Sequence, residues 1–94
     1  MRLIWLERAR RELGEAYAWI EPDDPQAARK VVERIIQAVE RLQDFPQAGR
    51  NGRIAGTREL VVMRTPYIVA YQIDGNDIEI LTVMHSRRLW PDQL

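Results

Sequence analysis

Apolar residues recur at helical spacing in the first half of the chain and at strand spacing in the second half. Residues 2–5 are short and mostly apolar, which predicts a strand. Residues 9–20 carry apolar positions three or four apart between charged ones, which predicts an amphipathic helix that ends at Pro22. The apolar positions of this helix are Ala9, Leu13, Ala16, Tyr17 and Ile20.

A second amphipathic helix is predicted from Asp24 to about Phe45. Asp24 followed by Pro25 is typical of a helix N-cap and first turn, and Pro46 ends the pattern. Because the connection between the two helices is short, we expect them to form an antiparallel hairpin. The buried stripe of the second helix should consist of Ala28, Val31, Val32, Ile35, Val39 and Leu42, with Ile36 on its edge.

The second half of the chain predicts a loop followed by strands. Residues 46–57 contain three glycines and no periodicity, so they should form the loop. Residues 74–77 read Asp-Gly-Asn-Asp, a strong hairpin turn, and Thr65-Pro66 should interrupt the ladder earlier. The strands are predicted at 58–63, 67–73 and 78–84. We therefore expect an α+β fold of order β-α-α-β-β-β, a small antiparallel sheet with the helical hairpin packed on one face.

The last two predicted strands are apolar on both faces. Val69 and Tyr71 alternate with Ile68 and Ala70, so neither face of that strand is polar. Strands of this kind are normally covered on both sides, and one helical hairpin covers only one side. Either the C-terminal tail folds back or another chain lies over the second face, and the lack of a third predicted helix favours a partner.

Length and composition exclude several classes of protein. The 94 residues predict a single domain, 1–94, and the absence of cysteine excludes disulfides and thiolate metal sites. A lone histidine is poor evidence for a metal site, so we expect neither a metal nor a cofactor. The charged N-terminus lacks the apolar core of a signal peptide, and no apolar run is long enough to span a membrane, so a cytoplasmic location is expected.

The charges cancel overall but are segregated along the chain. A formal net charge of zero argues against a wholly basic nucleic-acid binder. Lys30 is the only lysine among 14 basic residues. Guanidinium groups bind phosphate or carboxylate with two parallel hydrogen bonds, so the arginine bias suits ligands of this kind. A GC-rich genome would produce the same bias without a functional reason. Between Pro46 and Ile73 a single acidic residue, Glu59, stands against Arg50, Arg53, Arg58 and Arg64.

The C-terminal tail concentrates side chains that carry chemistry. His85, Arg87, Arg88 and Trp90 lie within six residues directly after a predicted strand, where the backbone is held firmly. Imidazole exchanges protons near neutral pH, so His85 is the strongest candidate for proton transfer, and a histidine that only caps the strand is the alternative. Trp90 can stack on a base, but we favour a role in closing the core beside Pro91. Core positions are also expected for Trp5, Tyr17, Trp19 and Phe45.

The order of elements, together with several short motifs, resembles the RelE/ParE family of bacterial type II toxins. The resemblance covers nearly the whole chain. The Phe-Pro-x-x-Gly-Arg run and the Tyr-Ile-Val-x-Tyr strand are fairly specific in combination. The matching segments are Ile4-Trp5, Ala16–Ile20, Leu42–Arg50, Gly56–Val61, Pro66–Tyr71 and Ile80–His85.

This resemblance implies a small toxin that is made beside an antitoxin and neutralised by it. The antitoxin would lay an extended or helical tail over a groove of the toxin. The assembly expected is a homodimer of the toxin or a heterotetramer of toxin and antitoxin. ParE-like members poison DNA gyrase without chemistry of their own, whereas RelE-like members cleave mRNA on the ribosome. The groove is expected to be lined by Ile68, Ala70, Leu81 and Val83.

The two mechanisms give different roles to the same residues. For a metal-independent endoribonuclease, the resemblance implies that His85, Arg87 and Arg58 are catalytic. RNA or another target would be bound by Arg50, Arg53, Arg64, Arg88 and Trp90. Because the RelE-like nucleases tend to be basic and lysine-rich and this chain is neutral, we favour gyrase inhibition by binding. The alternatives are the ribosome-associated nuclease and a member that binds its antitoxin without being toxic.

Overall fold

The computed structural model describes residues 1–88 and 90–91, and its two helices form the predicted hairpin. Helix α1 spans Glu7–Ile20 and helix α2 spans Pro25–Glu40. The Asp24 N-cap is confirmed, since its Oδ1 accepts a hydrogen bond from the N–H of Ala27 at 3.1 Å. The predicted helix extended to about Phe45, but the last turn tightens into a 3₁₀ helix at Arg41–Gln43.

Five strands form one sheet in the order β1-β5-β4-β3-β2. They are β1 (Arg2–Trp5), β2 (Arg50–Asn51), β3 (Arg58–Val61), β4 (Tyr67–Asp74) and β5 (Asp77–His85). The hairpin turn between β4 and β5 is confirmed, and Gly75 occupies it with a φ of +60°, which suits glycine. Strand β2 lies inside the segment predicted as loop, because two residues are too few to show a period.

The sheet is mixed, which corrects the expectation of a purely antiparallel one. Strand β1 pairs with β5 in parallel, with Arg2 opposite Asp77 and Trp5 opposite Ile80. The other pairs are antiparallel because short turns join β3 to β4 and β4 to β5. Only the whole length of the intervening chain joins β1 to β5, so no tight turn constrains their relative direction. An ion pair between Arg2 and Asp77, with Nε and Oδ1 2.9 Å apart, lies at the start of this pairing.

The core lies between the helical hairpin and one face of the sheet. Most of the predicted stripe of α2 is buried there, and Ile36 lies at the edge as expected. The sheet contributes Val69 and Tyr71 from β4 and Ile78 and Ile80 from β5, all fully buried. The helices contribute Ala9, Ala16, Ile35, Ala38 and Val39, and the 3₁₀ helix contributes Leu42.

The helix-free face of the sheet is already covered in the isolated chain. Ile68, Ala70, Leu81 and Met84 are outside the cluster beneath the helices, yet none is more than 7% exposed. Because these apolar side chains are buried without another chain, the apolar pattern of the two strands no longer requires a partner on this face. A β-bulge at Leu81 interrupts the alternation, since Tyr71 pairs with Ile80 whereas Ala70 pairs with Thr82.

Candidate functional site

Most of the residues predicted to act on or bind a target lie in three separate places. His85 and Arg88 line a cleft of about 610 Å³ beside α1, which we call the strand-end cleft; Glu12, Glu15, Trp19 and Tyr67 complete it. Arg50, Arg53 and Trp90 gather around Glu59 in what we call the guanidinium cluster. Arg64 lies at the rim of an apolar patch formed by Phe45, Val61 and Met63.

In the strand-end cleft, His85 packs edge-on against Tyr67. The ring centroids are 5.5 Å apart and the planes are inclined by 78°. Burial raises the pKa of Tyr67, and the nearby charge of Arg88 partly offsets this. The Nδ1 atom of His85 accepts a hydrogen bond from the backbone N–H of Arg87 at 3.2 Å, so the proton of a neutral ring lies on Nε2.

A buried carboxylate that the sequence analysis did not single out closes the outer edge of β5. The Oε1 atom of Glu12 accepts hydrogen bonds from the Thr82 hydroxyl at 2.5 Å and from the Val83 N–H at 3.0 Å. Strand β1 ends opposite Ile80, so it leaves the later residues of β5 without a strand on that side. Glu12 thus supplies the missing acceptor. Its place between Ala9 and Ala16 on the buried stripe of α1 was the available signal.

In the guanidinium cluster, a buried carboxylate binds two arginines on the helix-free face. Glu59 is only 3% exposed, and its carboxylate oxygens lie 3.0 Å from Nε of Arg53 and 3.2 Å from Nη2 of Arg50. The backbone N–H of Arg53 adds a hydrogen bond of 2.8 Å. Burial by itself would raise the pKa of Glu59, but these hydrogen bonds outweigh it and lower the pKa.

Trp90 completes the guanidinium cluster from the C-terminal tail. The guanidinium carbon of Arg53 lies 4.0 Å from the centre of the Trp90 ring, a cation–π contact. Trp90 is half-buried, and it packs on this cluster rather than on the core between sheet and helices. The Arg53 guanidinium is therefore held within the chain by an ion pair with Glu59 and by a cation–π contact with Trp90.

Arg58 contacts the loop after α2 rather than His85. Its Nη1 atom donates to the carbonyl oxygen of Gly49 at 2.8 Å. Along β3 and β4, Arg58 lies opposite Tyr71, whereas Tyr67 lies opposite His85. Four residues of strand separate these positions, which is about 13 Å. The structure therefore does not bring Arg58 and His85 together.

The two most specific motifs of the sequence contact each other through Tyr71. Its hydroxyl donates to the carbonyl of Pro46 at 2.8 Å and accepts from the N–H of Gly49 at 2.9 Å. A Cβ at Gly49 would lie 2.7 Å from Cε1 of Tyr71, so only glycine fits there without displacement. The Phe-Pro-x-x-Gly-Arg run is thus the loop that closes over this tyrosine.

The four residues expected to line an antitoxin groove do not form an exposed surface together. Val83 belongs to the core cluster beneath the helices and also lines the strand-end cleft. Ile68, Ala70 and Leu81 lie outside that cluster. All four are at most 7% exposed, because the chain covers both faces of the two longest strands. A groove lined by these four side chains therefore stays a prediction, and the isolated chain does not present them on its surface.

Two aromatic residues expected in the core are instead exposed. Trp19 is 80% exposed on the last turn of α1, and Phe45 is 65% exposed just after the 3₁₀ helix. Phe45 joins Met63, 72% exposed, and Val61, 47% exposed, in the apolar patch. The patch borders a cavity of about 290 Å³ between α2 and β3. Helical spacing cannot locate Phe45, because it lies where the helix has already ended.

The described residues offer no metal centre and no membrane span. In residues 1–88 and 90–91 no three His, Asp or Glu side chains converge in a way that could hold a metal ion. No helix in that part of the chain has the length and apolar character needed to cross a bilayer.

Comparison with known proteins agrees with the fold and the motifs. Residues 3–90 match the family described as the ParE toxin of the type II toxin–antitoxin system parDE. Y4kP of Sinorhizobium fredii, named as a candidate toxin, is 53% identical over 99% of this chain and 96% of its own. Toxin RelE2 of Caulobacter vibrioides is 31% identical over 94% and 98%. A structure titled as a chromosomal ParDE system from P. aeruginosa matches with a TM-score of 0.83 and 30% identity, over 90% of this chain and 95% of that one.

Proposed function

The chain belongs to the ParE toxin family of type II toxin–antitoxin systems, and from this premise we propose that it inhibits DNA gyrase by binding. Its action would take place in the cytoplasm, where the chromosome lies, and a cognate antitoxin would neutralise it. No bond of a substrate is made or broken in this mechanism. The chain's exposed charges serve to recognise the target.

The separation of the candidate catalytic residues carries this proposal. RNA cleavage by attack of a 2′-hydroxyl needs a base, an acid and cations that converge on one phosphate. Here Arg58 donates to the Gly49 carbonyl, about 13 Å along the strands from His85, and Arg50 and Arg53 pair with Glu59 on the helix-free face. These three arginines are therefore poorly placed to act with His85 on a common group, and only Arg87 and Arg88 of the candidate arginines lie beside it.

The target-binding surface is proposed to include the C-terminal segment. Arg87 and Arg88 are exposed directly after β5, and Trp90 is held on the guanidinium cluster. This arrangement supports a role for Arg87 and Arg88 in contacting a protein partner, since arginine is enriched at protein interfaces. Gyrase inhibition should therefore depend on these charges and not on the imidazole of His85.

The test is a supercoiling assay with purified gyrase, paired with induction of the chain in cells without its antitoxin. We expect loss of supercoiling, filamentation and intact mRNA. Reversing the charge with Arg87→Glu and Arg88→Glu should raise the half-inhibitory concentration by about tenfold. His85→Gln, which keeps a side chain of similar size, should leave inhibition unchanged.

Other results would contradict the proposal in distinct ways. Rapid mRNA cleavage that disappears in His85→Gln would identify a nuclease instead. Normal growth, intact mRNA and unaffected gyrase, in a chain that still folds and binds the antitoxin, would identify a member without toxicity.

A further inference from the structure

Three of the seven large apolar side chains exposed in the described chain gather in the apolar patch. Phe45, Val61 and Met63 line the same cavity, and each is between 47% and 72% exposed. Soluble monomers rarely leave such side chains in contiguous groups without a binding role. Phenylalanine and methionine are also among the residues enriched at protein interfaces.

The rim of this patch is basic and lacks carboxylates. Arg34, Arg41 and Arg64 line the cavity with the apolar residues, and no Asp or Glu of the described chain lines it. Within the described residues, the ion pairs involve other arginines, so these three have no carboxylate partner there. Arg34 instead donates to the backbone carbonyl of Arg64 at 3.3 Å, which holds α2 close to the turn after β3.

The turn between β3 and β4 places Arg64 in a backbone conformation that costs free energy for a residue other than glycine. Arg64 has a φ of +61°, the left-handed conformation that glycine adopts at little cost. The arginine side chain stabilises no ion pair within the described chain that would offset this strain. Strained positions of this kind are characteristic of functional surfaces.

We propose that the apolar patch and its three arginines form a docking surface for an acidic protein segment that carries apolar anchor residues. Resting on the proposed function, the antitoxin supplies this segment. Its apolar side chains occupy the cavity beside Phe45 and Met63, and its carboxylates pair with the arginine rim. Partners of zero or positive net charge are disfavoured, because three desolvated guanidinium groups would remain without a counter-charge.

The experiment measures the affinity of the full chain for the antitoxin encoded in the adjacent reading frame. Phe45→Ser combined with Met63→Ser should weaken binding by at least about tenfold. Both side chains are exposed, so the unfolding midpoint should stay within a degree or two of the unaltered chain. Trp19→Ser, which removes an aromatic that is even more exposed than Phe45 from the other cleft, is the matched control and should bind normally.

The basic rim is tested separately from the apolar patch. Arg64→Gly removes a charge and relieves the left-handed backbone, so this variant should bind about fivefold more weakly while it unfolds at the same or a higher temperature. Arg29→Ala, an exposed arginine on another part of α2, is the matched control and should bind normally.

The possible failures separate the inference from the function on which it rests. If the unaltered chain does not bind the antitoxin at all, the proposed neutralisation is wrong. If it binds, and Trp19→Ser weakens binding while the patch and rim variants do not, the docking surface lies at the strand-end cleft and this inference is overturned. Equal affinity of all variants would overturn it as well.

Discussion

Arginine side chains have different roles in the guanidinium cluster and at the rim of the apolar patch. In the cluster, Arg50 and Arg53 surround a carboxylate that is 3% exposed, and Trp90 covers the second guanidinium. At the rim, Arg34 and Arg41 line an apolar cavity without a carboxylate. An arginine whose charge is satisfied inside the chain holds the fold together. An arginine without a counter-charge is available to a partner.

The largest effect is expected in the loop that carries Arg50, which is anchored on Tyr71 through the N–H of Gly49. Gly49→Ala should lower the free energy of unfolding by about 2–3 kcal/mol, because the new Cβ would overlap the Tyr71 ring and the Glu59 carbonyl. Equilibrium urea unfolding measures the change. Gly14→Ala is the matched control: it lies in α1 with open space around it and should stabilise the chain by up to about 1 kcal/mol. Equal stability of the two variants would show that the loop is not packed on Tyr71 as described.

A smaller effect should distinguish the two sets of arginines directly. Arg53→Ala leaves Glu59 buried with one guanidinium partner, and should cost about 1–2 kcal/mol after allowance for the half-exposed side chain. Arg41→Ala should change stability by less than about 0.5 kcal/mol, because Arg41 is exposed and forms no ion pair in the described chain. Both values come from the same urea titrations. A larger loss of unfolding free energy for Arg41→Ala than for Arg53→Ala would contradict the stabilising role assigned to Arg53.

The smallest expected effect is the dependence of the cluster on pH. The pKa of Glu59 is lower in the folded chain than its ordinary value, so its ion pairs stabilise the fold above about pH 4.3. That contribution is lost as the pH falls through the folded-state pKa. Unfolding free energies of the unaltered chain and of Glu59→Gln, measured from pH 7 to pH 3, should converge at the acid end. Parallel curves across this range would contradict the assignment.

The elements whose signal is local were predicted correctly. The Asp24-Pro25 start of α2, the Asp74–Asp77 turn and the extent of α1 depend on capping, on turn chemistry and on helical period. The family was also visible in short motifs, and the matching family confirms it. The end of α2 and the two-residue strand β2 were missed, because tertiary contacts decide such short segments.

The candidate site was harder to predict, because it depends on which side of the sheet each residue faces. The sequence placed Arg50, Arg53, Arg58 and His85 on the loop and strands after α2, and their chemistry allowed one shared site. Strand pairing then directed Glu59 to the helix-free face and His85 towards α1. A bulge that offsets the pairing by one residue is not encoded in any local pattern.

The amino-acid sequence by itself determined the helical hairpin, the four longer strands, the hairpin turn and the family, because these follow from periodicity, caps and motifs between near neighbours. Only the tertiary structure decided that β1 joins β5 in parallel and that Glu59 forms ion pairs with two of the predicted binding arginines. It alone decided that Phe45 reaches solvent beside Met63. The physical reason is common to all three: each depends on contacts between residues that are distant in the chain. The local sequence around either residue does not determine the free energy of such contacts.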